Sequence, residues 1–148
     1  MPRTLALDYG ERRIGVALSD PTRTLATPLP TLERRAGKRP PWPEIQRIIA
    51  ENEVDEAVIG LPLELSGEES AWTAEVRAFG AEVERRTRLP VHWMDERMTS
   101  IIAERNVRGS GLKKKQREEK GRIDAEAAAL ILQGFLTLRR NQARQAEP

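Results

Sequence analysis

The sequence predicts an α/β domain: a five-stranded mixed sheet with helices on both faces. Three observations carry this. The first third reads as three strands joined by short turns, the remainder alternates helical and strand patterns, and the resulting order βββαβαβαα is that of a mixed sheet with helices on both faces. At 148 residues the chain suits one domain, in which roughly 70% of the unfolded surface is buried without disulfides or structural metals. The domain is expected over residues 1–140, with NQARQAEP at 141–148 as a frayed tail.

TLALD is an apolar run and YGERR a turn, after which Ile14, Val16 and Leu18 alternate along RIGVALSD; this predicts a β-hairpin. Gly10 and Gly15 permit tight turning beside Asp8. A third strand is expected over Thr24 to Leu32, followed by a mobile loop in ERRAGKRPPWP. Pro43 suits the first turn of a helix whose stripe is Ile45, Ile48, Ile49 and Asn52. EAVIG is a buried strand, and Pro62 shapes the loop leaving it. Ser66 and Glu69 have capping-box spacing ahead of a helix that places Trp72, Val76, Phe79 and Val83 inward. RLPVHWMDER gives the fifth strand. A helix through Ile101, Ile102 and Val107, capped by Thr99 or Ser100, breaks at RGSG. A last helix spans about Arg122 to Arg140, its inner face formed by Ile123, Ala127, Leu130, Ile131, Gly134 and Leu138.

Composition excludes several chemistries. With no cysteine there is no disulfide, thiolate nucleophile or thiolate zinc site. The single histidine, His92, offers no zinc set and reads as structural, and no G-x-S-x-G elbow is present. No run of about 18 apolar residues could span a bilayer, and MPRTLALDYG lacks a secretory signal's apolar stretch, so the expected setting is the cytoplasm, away from membranes. Net charge is only +2, yet cations cluster at Arg34–Arg39, Arg85–Arg88, Lys113–Arg117 and Arg139–Arg144. Such clusters neutralise phosphates locally or simply form solvated faces. Trp42, Trp72 and Trp93 read as packing residues, not as a base-stacking stripe.

Several acidic residues stand where chemistry needs them. Asp8 closes the first strand, where an isolated Asp is ordinarily a turn former. Asp95 and Glu96 close the strand VHWM, where acids also cap helices. Asp124 shares a helical stripe with Ala128, Ile131 and Phe135, and a carboxylate on an apolar face needs an arginine or a metal to balance it. Carboxylates converging from strand ends and a helix would repel one another unless cations lay between them, and hard oxygen ligands suit Mg²⁺ or Mn²⁺. Two such ions suit phosphodiester cleavage.

DYGERRIGVA, IGLPLELSG, DERMTS and KGRIDAEAAALILQGFL, in this order, resemble the blocks of the YqgF/RuvX-like pre-16S rRNA nuclease family, and the resemblance covers nearly the whole chain. It implies a ribonuclease H-like domain related in fold to RuvC-type junction resolvases. It implies that Asp8, Glu96 and Asp124 are catalytic, metal-binding carboxylates, with Asp8 bridging two ions and Asp95 as the alternative to Glu96. Glu64 and Ser66 depart from the Asn and Asp that many members carry, which touches the loop's substrate contacts and leaves the carboxylates intact. Arg97 either pairs with a carboxylate or holds the scissile phosphate. Lys113, Lys114, Lys115 and Lys120 are candidate phosphate contacts, which carry no sequence information. The expected partner is nucleic acid, RNA ahead of a DNA junction, bound by a monomer or a homodimer. The alternatives are a resolvase acting on DNA junctions and a non-catalytic RNA-binding assembly factor. An actin-like phosphate-binding module would need a second domain, for which the chain has no room.

Overall fold

A computed structural model describes residues 2–34, 39–98 and 114–146, with only the backbone of residues 114–124. The helix expected through Ile101, Ile102 and Val107, its caps Thr99 and Ser100, the RGSG break, Lys113, and part of the 33–43 loop lie outside the described residues, as do the side chains of Lys114, Lys115, Lys120, Ile123 and Asp124.

The five-stranded sheet has the order β3-β2-β1-β4-β5, from β1 (Arg3–Tyr9), β2 (Arg13–Ser19), β3 (Ala26–Glu33), β4 (Val54–Leu61) and β5 (Val91–Asp95). The first three strands pair antiparallel, whereas β4 joins β1 in parallel and β5 joins β4 in parallel. The hairpin closes where the Gly10 N–H donates to the Arg13 carbonyl at 2.9 Å. A Cβ on Gly10 would lie 2.7 Å from that same carbonyl oxygen, so only glycine fits the turn.

Side chains alternate across the sheet and divide the core in two. Leu5, Leu7, Ile14, Val16 and Ile59 pack with α1 (Trp42–Glu51) and α2 (Ala71–Thr87). Ala6, Ala17, Val58 and Met94 pack on the other face against Ala127, Ala128, Ile131 and Leu132 of α3 (Lys114–Ala146). Helices therefore cover both faces, as predicted.

Five boundaries differ from expectation, one of them the start of the last helix, which is Lys114 and not about Arg122. β3 begins at Ala26 and not Thr24, because the Asp20 carboxylate accepts the backbone N–H groups of Thr24 and Leu25 at 2.8 and 2.9 Å and draws them into a turn. These bonds, with one from the Thr22 hydroxyl, hold Asp20 at a pKa of about 2. Asn52 is the C-cap of α1 and not part of its stripe, its side-chain N–H donating to the Ile48 carbonyl at 2.9 Å. The cap of α2 is Ser70 and not Ser66: Ser70 Oγ accepts from Thr73 N at 3.2 Å, and Ser70 N donates to Thr73 Oγ1 at 3.0 Å. The left-handed Gly67 (φ +92°) interrupts any helix starting at Ser66, which instead accepts from Glu68 N inside the loop, while Glu69 pairs with Arg77 at 2.5 Å. Finally, α3 runs from Lys114 to Ala146 and so includes most of the segment expected to fray. Its lysines, glutamines, glutamates and arginines are good helix formers, and residues 141–146 are exposed helix.

Candidate functional site

β1 carries Thr4, Ala6 and Asp8 on the face covered by α3, so Asp8 reaches that face at the strand's C-terminal end, where it is buried at 4% exposure. Its neighbours there are glycines on both sides. Gly15 of β2 is its direct antiparallel partner. Gly60 of β4 stands beside it, one residue beyond the ladder pair Leu7 and Ile59.

Glu96 approaches from the far side of Gly60. The chain leaves β5 in a single 3-10 turn, Glu96–Met98, and this turn buries the Glu96 side chain to 2% exposure. A Cβ on Gly60 would meet Glu96 Oε1 at 2.8 Å and Ile131 Cδ1 of α3 at 2.5 Å. The carboxylate thus lies directly over the glycine, beneath the last helix. Two buried carboxylates, one from a strand and one from the turn after another, come to either side of Gly60 at the C-terminal ends of the central parallel strands, where open α/β sheets place ligands. Asp124 lies on the backbone of α3, seven residues before Ile131, and its side chain is outside the described residues. Among the described residues no group of three or more His, Asp and Glu side chains could by itself hold a metal ion.

Asp95 takes a different place from Glu96. Its carboxylate accepts two hydrogen bonds from Arg97 Nε, both 3.1 Å, one from Nη2 at 2.7 Å and one from the Arg97 backbone N–H at 2.9 Å. These bonds outweigh desolvation and hold its pKa below the usual carboxylate range. Arg97 also donates from Nη1 to the Leu65 carbonyl at 3.4 Å and lies 3.2 Å from the Cβ position of Gly67. Of the two roles open to Arg97, the geometry displays the carboxylate pair, and it ties β5 to the β4–α2 loop.

Two features went unread in the sequence. Glu56, at the start of β4 and 6% exposed, accepts from Arg139 Nη1 and Nη2 at 2.7 and 2.8 Å, from Arg23 Nη1 at 2.8 Å and from Thr4 Oγ1 at 2.6 Å. His92 Nε2 lies 3.2 Å from it, as befits a structural histidine. Burial would raise this carboxyl, but the two guanidinium groups and the threonine prevail and bring its pKa to about 2. A glutamate within the buried run VDEAVIGL was the available signal, because such a charge requires partners. The other feature is a cavity between α1 and α2 lined by Tyr9, Trp42 and Trp72.

With this geometry in view, similarity to known proteins is informative. The model of the RuvX family, described as Holliday junction resolvase, matches residues 2–138. The chain belongs to the RuvX family. Its membership places it among nucleases. Among its relatives, the "Putative pre-16S rRNA nuclease" of Koribacter versatilis is 47% identical over 93% of this chain and 88% of the relative. The protein of the same description from Rhodococcus erythropolis is 42% identical over 98% of this chain and 83% of its own length. Among solved structures, RuvC of T. thermophilus in complex with a Holliday junction substrate aligns over 95% of this chain and 96% of that chain, with a TM-score of 0.51 and 12% identity. That likeness shows the shared ribonuclease H-like fold. Among the described residues of this RuvX-family chain, no helix is long and apolar enough to cross a membrane.

Proposed function

We propose that this chain is a metal-dependent nuclease that hydrolyses phosphodiester bonds in RNA and matures the 5′ end of precursor 16S rRNA in the cytoplasm. The observation that carries the reading is the pair Asp8 and Glu96, both buried at the C-terminal end of the sheet, Asp8 on the strand beside Gly60 and Glu96 over the Gly60 Cβ position, in a chain whose relatives are described as pre-16S rRNA nucleases.

The donor set fits a hard cation: carboxylate oxygens from two elements, beside Gly15 and Gly60. Asp8, Glu96 and Asp124 would hold the Mg²⁺ or Mn²⁺ ions. When bound, such ions supply an activated water and stabilise the departing oxygen. The protein's own share is placement. β1 and the turn after β5 place their carboxylates, and Ile131 of α3 packs over Gly60 beside them. The Asp95–Arg97 pair fixes the β5 end, leaving Glu96 as the ligand from that strand. Lys113, Lys114, Lys115 and Lys120 would contact the phosphate backbone, with Arg97 in the turn after β5.

The decisive experiment is cleavage of labelled RNA with and without Mn²⁺ by the full chain and by Asp8→Asn. Metal-dependent cleavage abolished by the substitution is expected; persistence would overturn the mechanism, and its absence from the unsubstituted chain would favour a non-catalytic assembly factor. The family model's description supports a second reading, junction resolution. A resolvase must cut two symmetric strands and so act as a two-fold dimer. A monomer that cuts RNA and ignores four-way junctions removes it.

A further inference from the structure

On the opposite face from Asp8, α2, the first residue of α1 and the end of β1 border an open cavity of about 660 Å³, within the range of small-ligand sites. Its wall is aromatic. Tyr9 stacks on Phe79 with ring centroids 4.2 Å apart and on Trp72 at 5.5 Å. Trp42 stacks on the other side of the group, 5.6 Å from Phe79. Two guanidinium groups lie on this wall, Arg34 at 4.6 Å over Tyr9 and Arg86 at 4.8 Å over Trp42. Tyr9 and Trp72 are only half-buried, so ring surface reaches the cavity.

The geometry points to a second nucleic-acid contact: this cavity takes an unstacked nucleobase of the RNA strand whose phosphates pass over the Asp8 end of the sheet. Three features select a base. Aromatic rings and arginine planes are the surfaces on which single-stranded bases stack. The lining cations Arg34, Arg39 and Arg86 are matched by Glu11, Glu75 and Glu82, so the cavity has no excess charge to recruit a phosphate by itself. Tyr9 directly follows Asp8, and consecutive strand residues point to opposite faces. The aromatic wall and the candidate catalytic carboxylate are therefore two sides of one strand end, and a strand crossing that edge can meet both.

This inference rests on the nuclease reading for its ligand, yet its test is independent of cleavage. The measurement is anisotropy of two labelled phosphorothioate octamers of equal charge, one of adenine ribonucleotides and one abasic, in EDTA. The full chain should bind the adenine octamer about tenfold more tightly. Trp72→Ala should erase the difference and leave abasic binding unchanged. Ala78→Trp, at an exposed lining position on α2, should do the same by filling the cavity while keeping the core, and so serves if Trp72→Ala fails to fold. A preference for bases that survives in folded Ala78→Trp overturns the proposal. Competition by 5′-AMP at the octamer's own affinity overturns it too, in favour of a free nucleotide. If Asp8→Asn still cleaves RNA, the nuclease mechanism falls while this comparison stands.

Discussion

The face of the sheet beneath α3 buries acids at both ends, and the two ends are built on opposite principles. At the N-terminal end of the parallel strands, Glu56 is enclosed by Arg23, Arg139, His92 and Thr4. Arg139 belongs to α3 and Arg23 to the turn before β3, while Arg23 also grips Asp55 at 2.6 Å. One carboxylate thus fastens the last helix and the hairpin region to the central strand. At the other end Asp8 and Glu96 flank Gly60, with Gly15 opposite Asp8 and Ile131 of α3 close over Gly60. A buried acid that gathers cations from distant segments is a fastening, whereas two acids brought together at the C-terminal ends of the parallel strands, where open α/β sheets place ligands, are read as a receptacle. Burial alone does not distinguish the two.

Substitutions should separate the ends, beginning with the largest effect. Asp8→Asn is expected to lower RNA cleavage by roughly a hundredfold or more, since changes to residues merely supporting a metal's ligands cost ~10–100-fold. Its melting temperature should change less than that of Glu56→Gln. In the latter, Arg139 and Arg23 lose their shared anion. Removing one partner of a buried pair costs about 3–5 kcal/mol, and the partial exposure of both arginines reduces this to roughly 2–3 kcal/mol, or about 5–10 °C in Tm. Cleavage per folded molecule should persist. Loss of cleavage in folded Glu56→Gln, or a larger melting shift in Asp8→Asn, would break the distinction.

Gly60→Ala tests the receptacle's floor. The added methyl would lie 2.8 Å from Glu96 Oε1 and 2.5 Å from Ile131 Cδ1, so either the carboxylate or α3 must shift. Overpacking of this kind costs about 1–3 kcal/mol, and denaturant melts should show it together with weakened Mn²⁺ dependence. Acid titration addresses the fastening. The folded pKa of Glu56 is depressed to about 2 from an ordinary 4.5. Its contribution is therefore fully present above pH 4.5 and is lost as pH falls toward 2. Glu56→Gln should flatten the stability profile across that window and leave it parallel to the unsubstituted chain's above it.

The contrast also explains what the sequence disclosed. Strand and helix identities were legible because apolar periodicity reports which face is buried, and the order of patterns dictated a mixed sheet covered on both sides. Caps and strand starts were less so. Ser66 and Ser70 both carry plausible partners three residues on, and only the left-handed Gly67 decides between them. Asp8 and Glu96 were legible as a pair through their ordered motifs, but the floor joining them was not, since Gly60 matters through the atoms that would strike its Cβ. Glu56 and Arg139, 83 residues apart, were invisible as partners because no local pattern links a strand's start to a helix's far end. The tryptophans were legible as packing residues, while the space bordered by Tyr9, Trp42 and Trp72 is a property of two helices meeting.

The smallest expected effect bears on the acid that could be mistaken for part of the receptacle. Asp95 sits next to Glu96, yet it faces Arg97, with side-chain exposures of 24% and 34% for the pair. Partly solvated pairs of this kind contribute about 0.5–1 kcal/mol, so Asp95→Asn should lower stability by no more than that. RNA cleavage should stay within a fewfold of the unsubstituted chain, because the amide still accepts from the Arg97 backbone and β5 keeps its end. Glu96→Gln should abolish cleavage under the same conditions. The reverse pattern, with Asp95→Asn inactive and Glu96→Gln active, would transfer the ligand role from the buried carboxylate to the arginine-paired one. Glu96 would then be a buried acid of the fastening kind, and the division between the two ends of the sheet would no longer predict which acids do chemistry.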